Sequence, residues 1–265
     1  MPYAAVFLAF VVYPVAYGLW MARDPSLYGE LLADPLYVRS VVNTALYVGV
    51  GVNVKMVVAL LLSGFFMRRR WWIKALLPVF MLPWALPSIP AFVSFHWMLI
   101  GEEGLVDSLL AALLGWRGPL WFHDRWLALA SNIVAYVWKW LPFWTLTFFA
   151  ARTAIPREVY EAADVDGASG ARRFAYIVVP LLGNLYLVCT LLDTLWTIGD
   201  FTTVSLVSEG APAYSTDVLA TLGFHYAFDA AQPALGVAAV MSALPVLIPI
   251  VIILLRRIQT REVQL

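Results

Sequence analysis

Six apolar stretches, at about 2 to 22, 38 to 66, 75 to 100, 127 to 150, 174 to 199 and 234 to 255, decide what this chain can become. A helix that crosses a bilayer needs roughly 20 mostly apolar residues, and each stretch meets that length. Together they take up most of the 265 residues, so no soluble catalytic domain fits beside them. Hydrophobic residues make up 62% and charged residues 13%, with a mean hydropathy of +0.81, outside the range of a soluble domain of this size. The runs are continuous or helical in period, unlike the short alternating strands of a membrane barrel. The expected fold is an all-α membrane protein of six transmembrane helices, one domain over residues 1–265.

Charge orients it. Cytoplasmic loops retain Lys and Arg, so the two sides can be compared directly. Arg68, Arg69, Arg70, Lys74, Arg152, Arg157, Arg172, Arg173, Arg256, Arg257 and Arg261 fall on one side. The other side holds only Arg23, Arg39, Arg117 and Arg125, among the acids Asp24, Glu30, Asp34, Glu102, Glu103, Asp107, Asp124, Asp200, Glu209, Asp217 and Asp229. Both termini are expected in the cytoplasm. No Lys or Arg precedes Arg23, so the first run reads as a retained helix and not as a cleaved signal.

Charges inside the runs need a reason, because each costs about 3 kcal/mol or more at mid-bilayer. Lys55 lies far along the second run, roughly 26 Å at 1.5 Å per residue, and is expected to snorkel to the cytosol. Lys139 is near mid-depth in the fourth and shares a face with Asn132, Tyr136 and Phe143. The fifth run carries a comparable stripe of Thr190, Asp193, Thr194 and Thr197. Two readings stay open: the stripes line a water-filled path, or Lys139 and Asp193 form a buried ion pair across about 9 Å of depth difference. Pro78, Pro83, Pro87 and Pro90 must kink or break the third run, which then packs within protein or faces a cavity.

Trp71 and Trp72 suit the inner interface, and Trp97, Trp116, Trp121 and Trp126 the outer one. Trp138, Trp140 and Trp144 lie deeper, where an indole can either fill the core or stack on a sugar ring. Cys189 reads as a small core side chain, and His96, His123 and His225 are isolated, so no metal site is expected.

Between the fourth and fifth runs lies the polar segment EAADVDGASGARRFAYIVVP, residues 161–180. Pro156 suits a first helical turn, Arg157 and Glu161 are four apart, and Gly167 and Gly170 end the helix. Tyr160, Ala163 and Gly167 share a face, with Ala162 beside them. Read from the residues alone, this is either a surface loop with an amphipathic turn or a helix that lets another protein approach its backbone closely.

The segment resembles the EAA motif of permease subunits in binding-protein-dependent ABC importers. Glu161, Ala162, Ala163, Gly167, Ile177 and Pro180 hold the motif spacing, and Val179 stands where the motif has Leu. The resemblance implies a type I importer fold whose coupling helix docks into a separate ATP-binding subunit, with Glu158, Glu161, Ala162, Ala163, Asp166 and Gly167 making or permitting the contact. It implies ATP and Mg on that partner and no cofactor here, since this chain lacks a GxxxxGK[ST] loop.

Gly210, Ala211, Pro212 and Thr216 resemble the Gly-Gly-Pro loop of the first permease in maltose, trehalose and glycerol-phosphate importers. NTALYVGVGV, the stretch RRRWWIKALLPVFMLPWALPSIPAFVSFHWM and WKWLPFWTL extend the resemblance over nearly the whole chain. Members commonly begin with a longer cytoplasmic stretch, whereas this sequence starts almost inside the first run, which leaves open whether the native start is longer. The implied partners are a second permease, a dimer of ATP-binding subunits, an extracytoplasmic solute-binding protein and membrane lipid, with no nucleic acid. A bacterial inner-membrane sugar or polyol importer, not an enzyme, is the expectation. Glycerol phosphate, polyamine or amino-acid import is the alternative, and a secondary transporter using Lys139 and Asp193 is the rival from another class.

Overall fold

A computed structural model describes residues 2–68 and 70–262, all helices and connections; Arg69, one of the basic residues used for orientation, lies outside the described residues. In chain order the helices used here are α1 Tyr3–Met21, α2 Pro25–Ala33, α3 Pro35–Phe66, α4 Trp71–Ala85, α5 Ser88–Leu99, α6 Leu105–Leu114 and α7 Arg125–Thr153. They continue as α8 Arg157–Val165, α9 Ala171–Leu181, α10 Gly183–Ile198, α11 Thr202–Val207, α12 Leu219–Phe224 and α13 Pro233–Gln259.

Among the described residues, α1, α3, α7 and α13 are each long and apolar enough to cross a membrane. The count reaches six if the bent pairs α4 with α5 and α9 with α10 are one span each.

Several of the acids expected on the outer side have a local task. Asp24 Oδ1 accepts from the Ser26 amide at 3.0 Å, Asp34 Oδ1 from Leu36 at 2.7 Å, and Asp124 Oδ1 from Trp126 and Leu127 at 2.9 Å. These are N-caps that satisfy amides a helix start leaves unpaired, and Pro25 and Pro35 follow two of them in the first helical position. The Ser26 amide holds the Asp24 carboxyl below its usual value.

The centre is built by α3, α7 and the α9–α10 pair. Val52, Met56, Ala59 and Leu60 pack against Trp144 and Phe148, with Val178, Leu182 and Cys189 closing the cluster. Cys189 is a buried free thiol in this packing, as its sequence position suggests. Around this centre the outer faces stay apolar: Phe10, Tyr13, Val57, Leu61, Val246 and Ile253 are exposed, as lipid- or protein-facing positions in a membrane are.

The third run breaks where the prolines require it. Between α4 and α5 the axis turns by 94°, at Leu86 and Pro87. A second break, of 70° between α9 and α10, has no counterpart in the sequence reading, which treated residues 174 to 199 as one straight crossing. Pro180 and Gly183 flank it, a residue without an amide donor and one without a side chain.

Candidate functional site

The segment between α7 and α9 is a short helix, α8, held from one side only. Tyr160 and Ile155 pack against the central cluster, the Tyr160 hydroxyl reaches the Arg152 carbonyl at 3.5 Å, and the Arg173 guanidinium sits 6.0 Å from the Tyr160 ring. Ala163 is buried on that same side. The helix ends in a Schellman turn: the Ala168 amide donates to Ala163 O at 2.8 Å, across Gly167 at φ +71°. Glycine takes that left-handed conformation without a Cβ penalty.

This geometry revises the face expected to meet another protein. Tyr160 and Ala163 belong to the chain's own body, because the aromatic ring packs partly buried against the central cluster beside α7. The exposed face carries Glu158, Glu161, Ala162, Asp166 and Gly167, together with Val165, which is 88% exposed. Val165 was missed by sequence reasoning; an apolar residue between acids at a helix end was the available signal. The Arg157 and Glu161 pairing does not form an ion pair in the structure.

At mid-depth the expected roles of two lysines change. Lys55 does not snorkel: its side chain is 0% exposed and Nζ lies 2.8 Å from Asp193 Oδ1. The Tyr136 ring lies 3.8 Å beneath the ammonium, and Trp144 Nε1 donates to the same Asp193 oxygen at 3.0 Å. An internal counter-charge and a π face remove the need to reach water. Tyr136 OH and Thr197 Oγ1 are 2.9 Å apart, and Thr197 Oγ1 donates to Asp193 O at 2.6 Å.

Lys139 is therefore not the partner of Asp193. Its ammonium donates to the carbonyls of Pro83 at 2.9 Å, Trp84 at 3.3 Å and Leu86, capping the end of α4 where the chain breaks. A helix end inside a membrane leaves carbonyls that lipid cannot satisfy, and a lysine from α7 supplies the donor. The two charged side chains thus sit in separate networks, and the relay a secondary transporter would need is not formed by them.

Asn132 serves a third network. It donates to Ser208 Oγ at 2.9 Å, Ser208 Oγ and Thr216 Oγ1 are 3.0 Å apart, and Thr216 donates to Ala211 O at 2.9 Å. From α3, Asn43 donates to the carbonyls of Ser215 and Asp217, both at 2.8 Å, while Arg125 donates to Asn43 Oδ1 at 2.8 Å. The Gly210-Ala211-Pro212 landmark is thereby pinned to α3 and α7. The anchoring role of Asn43, and of Arg125 behind it, was not visible in the sequence because the loop they hold is remote along the chain.

Of the eight residues on the two stripes, Asn132, Tyr136, Lys139, Asp193, Thr194 and Thr197 are buried within this chain, and Phe143 and Thr190 are partly buried. Thr190 and Thr194 lie beside an opening. They line an open cleft of about 310 Å³ with Val48, Gly49, Asn53 and residues of α13. Among the described residues no group of three His, Cys, Asp or Glu side chains is arranged to hold a metal ion.

The whole outline is shared with solved transporters. The fold superimposes with a TM-score of 0.83 on a chain of a bacterial ABC transporter involved in the import of the acidic polysaccharide alginate, at 20% identity, covering 98% of this chain and 93% of that one. By sequence it is 32% identical over 203 residues to the sulfoquinovosyl glycerol transport system permease protein SmoG of Agrobacterium fabrum. That match covers 73% of this chain and 62% of the relative's length. The trehalose/maltose transport system permease protein MalF of Thermococcus litoralis is 28% identical over 239 residues, 85% of this chain and 81% of that protein. Residues 55–263 match the family described as binding-protein-dependent transport system inner membrane component. The chain belongs to that family: it is a multi-pass permease subunit of the inner membrane and not an enzyme.

Proposed function

We propose that this chain is one of two different permeases in an ATP-driven importer of a sugar or related polyol, with both termini and α8 on the cytoplasmic side. The observation that carries this reading is the one-sided mounting of α8. One face is clamped to the inner end of α7 through Tyr160, and the other offers Glu158, Glu161, Ala162 and Val165 to a partner. A helix attached to the end of α7 on one side can pass displacement to the spans as a lever. ATP and Mg bind the partner ATPase dimer, whose closure moves α8; the α9–α10 pair follows and the permeases alternate between outward and inward openings.

Relatives named for sulfoquinovosyl glycerol and for trehalose and maltose support a carbohydrate cargo over polyamines, amino acids or glycerol phosphate. The cleft beside Thr190 and Thr194 is otherwise apolar, but Asn53 and the two threonines, whose donors bond their own helices, keep acceptor oxygens that suit sugar hydroxyls, and the cleft opens at the surface of this chain. We assign the solute route to this side. Asn132, Tyr136, Lys139, Asp193 and Thr197 support it by holding the helices. An extracytoplasmic binding protein delivers the cargo.

The test is Glu161→Lys in the complete transporter. ATPase activity is expected to persist while solute uptake is lost, with spans folded and subunits retained. Uptake at the wild-type rate with an intact complex would overturn the docking role of α8.

A further inference from the structure

A cavity of about 610 Å³ lies at the inner ends of α3, α4 and α7, beside the start of α8. Four cations line it: Arg68, Lys74, Arg152 and Arg157. Among the described residues no carboxylate forms an ion pair with any of them. Most of its remaining wall is apolar, with Ile73, Leu77 and Phe149, while Thr153 and Tyr160 add hydroxyls.

Arg152 is the informative member. It is only 9% exposed, its Nη1 lies 3.3 Å from Ser63 Oγ and 3.5 Å from Leu60 O, and its Nε is buried with no hydrogen-bond partner. The head group occupies space left by Gly64, where a Cβ would come within 2.5 Å of Nη1. A buried guanidinium that lines a cavity with three further cations and has an unsatisfied nitrogen behind it is arranged to receive an anion on its cavity side.

We propose that this cavity binds the phosphodiester headgroup of an anionic phospholipid of the inner leaflet. The headgroup phosphate accepts from the Arg152 guanidinium, with Arg68, Lys74 and Arg157 adding field. Three features favour lipid over a soluble phosphate. The cavity is formed at the ends of spans, the level of headgroups; its wall is apolar where an acyl chain begins; and exposed Trp72 and Leu76 continue that apolar surface along α4. The inference rests on the inward orientation of α8 proposed above. Its consequence is that the lipid tethers the base of the lever to the bilayer surface.

The test is native mass spectrometry of the complete detergent-solubilised transporter titrated with phosphatidylglycerol, with phosphatidylcholine as the neutral control. Saturable retention of phosphatidylglycerol alone is expected. The double variant Arg68→Gln/Lys74→Gln, at exposed positions, should weaken retention about fivefold per charge removed at low salt. Arg152→Gln should weaken it tenfold or more, since a charge-assisted hydrogen bond is lost with the charge. Gly64→Ala should do likewise while keeping every charge. Equal retention of both lipids, retention unchanged in the double variant and in Arg152→Gln, or displacement of phosphatidylglycerol by inorganic phosphate at matched concentration would overturn the proposal. So would binding seen in the permease pair but lost once the ATPase subunits are added, which would assign the cations to protein docking. Retention is read without ATP or solute, so its failure is separable from failure of the coupling role.

Discussion

Two lysines buried to the same degree, Lys55 at 0% and Lys139 at 1% exposure, are neutralised in opposite ways. Around Lys55 the compensation is a full counter-charge, Asp193, set among Tyr136 and Trp144 where α3, α7 and α10 meet. Around Lys139 it is a set of carbonyl dipoles at a broken helix end. The first arrangement joins three helices through a pair that either member can betray. In the second, one side chain serves a backbone defect created where the prolines break the third run. A bilayer tolerates an ionised group when something inside the protein replaces water, and that something need not carry charge.

The difference can be broken experimentally. Lys55→Met strands the Asp193 carboxylate and is expected to cost about 3–5 kcal/mol, read as a large fall in the thermal unfolding midpoint of the purified subunit. Adding Asp193→Leu should recover most of that loss, because a buried pair replaced whole by apolar residues is often nearly neutral. Failure of the double variant to recover would show that Asp193 has a second essential partner.

Lys139→Met is expected to cost less, about 2 kcal/mol, since the freed carbonyls of Pro83, Trp84 and Leu86 relax toward other donors at the bend. Here removal of Asp193 should give no rescue. Recovery on combining Lys139→Met with Asp193→Leu would contradict the separation of the two networks.

The smallest effect concerns a charge outside the spans. Burial raises the Asp217 carboxyl from 3.8 to about 6, against the opposing pull of His225, whose Nε2 lies 3.5 Å away, and of Thr221. Asp229 meets the same imidazole through Nδ1. A raised folded value means the stability gained by protonation is complete below 3.8 and is lost as pH rises through about 6. Asp217→Asn should therefore flatten the dependence of the unfolding midpoint on pH across that interval. An unchanged slope would place the titrating group elsewhere.

Much of this was legible before any coordinates. Proline spacing announced the break in the third run because Pro lacks a donor wherever it sits. Gly167 announced the end of α8 because its backbone conformation is local. The partner of Lys55 was not legible. Depth arithmetic assumed straight crossings, whereas α9 and α10 meet at a 70° bend, so counting residues along the run does not give the position of Asp193. The acids near Asp24, Asp34 and Asp124 looked like simple charge asymmetry, yet each also caps a helix, which only the backbone geometry reveals.

By itself the sequence determined that this chain lives in a bilayer as a bundle of helices, with a motif-bearing helix at one membrane face, since hydrophobic length, proline position and loop charge act within a few residues of where they are written. The tertiary structure alone decided which face of α8 is free, which lysine meets Asp193, and that Asn43 and Asn132 anchor the loop that carries Gly210 and Pro212. Those outcomes depend on how helices distant in sequence rotate and bend against one another, and that is fixed by packing all of them at once.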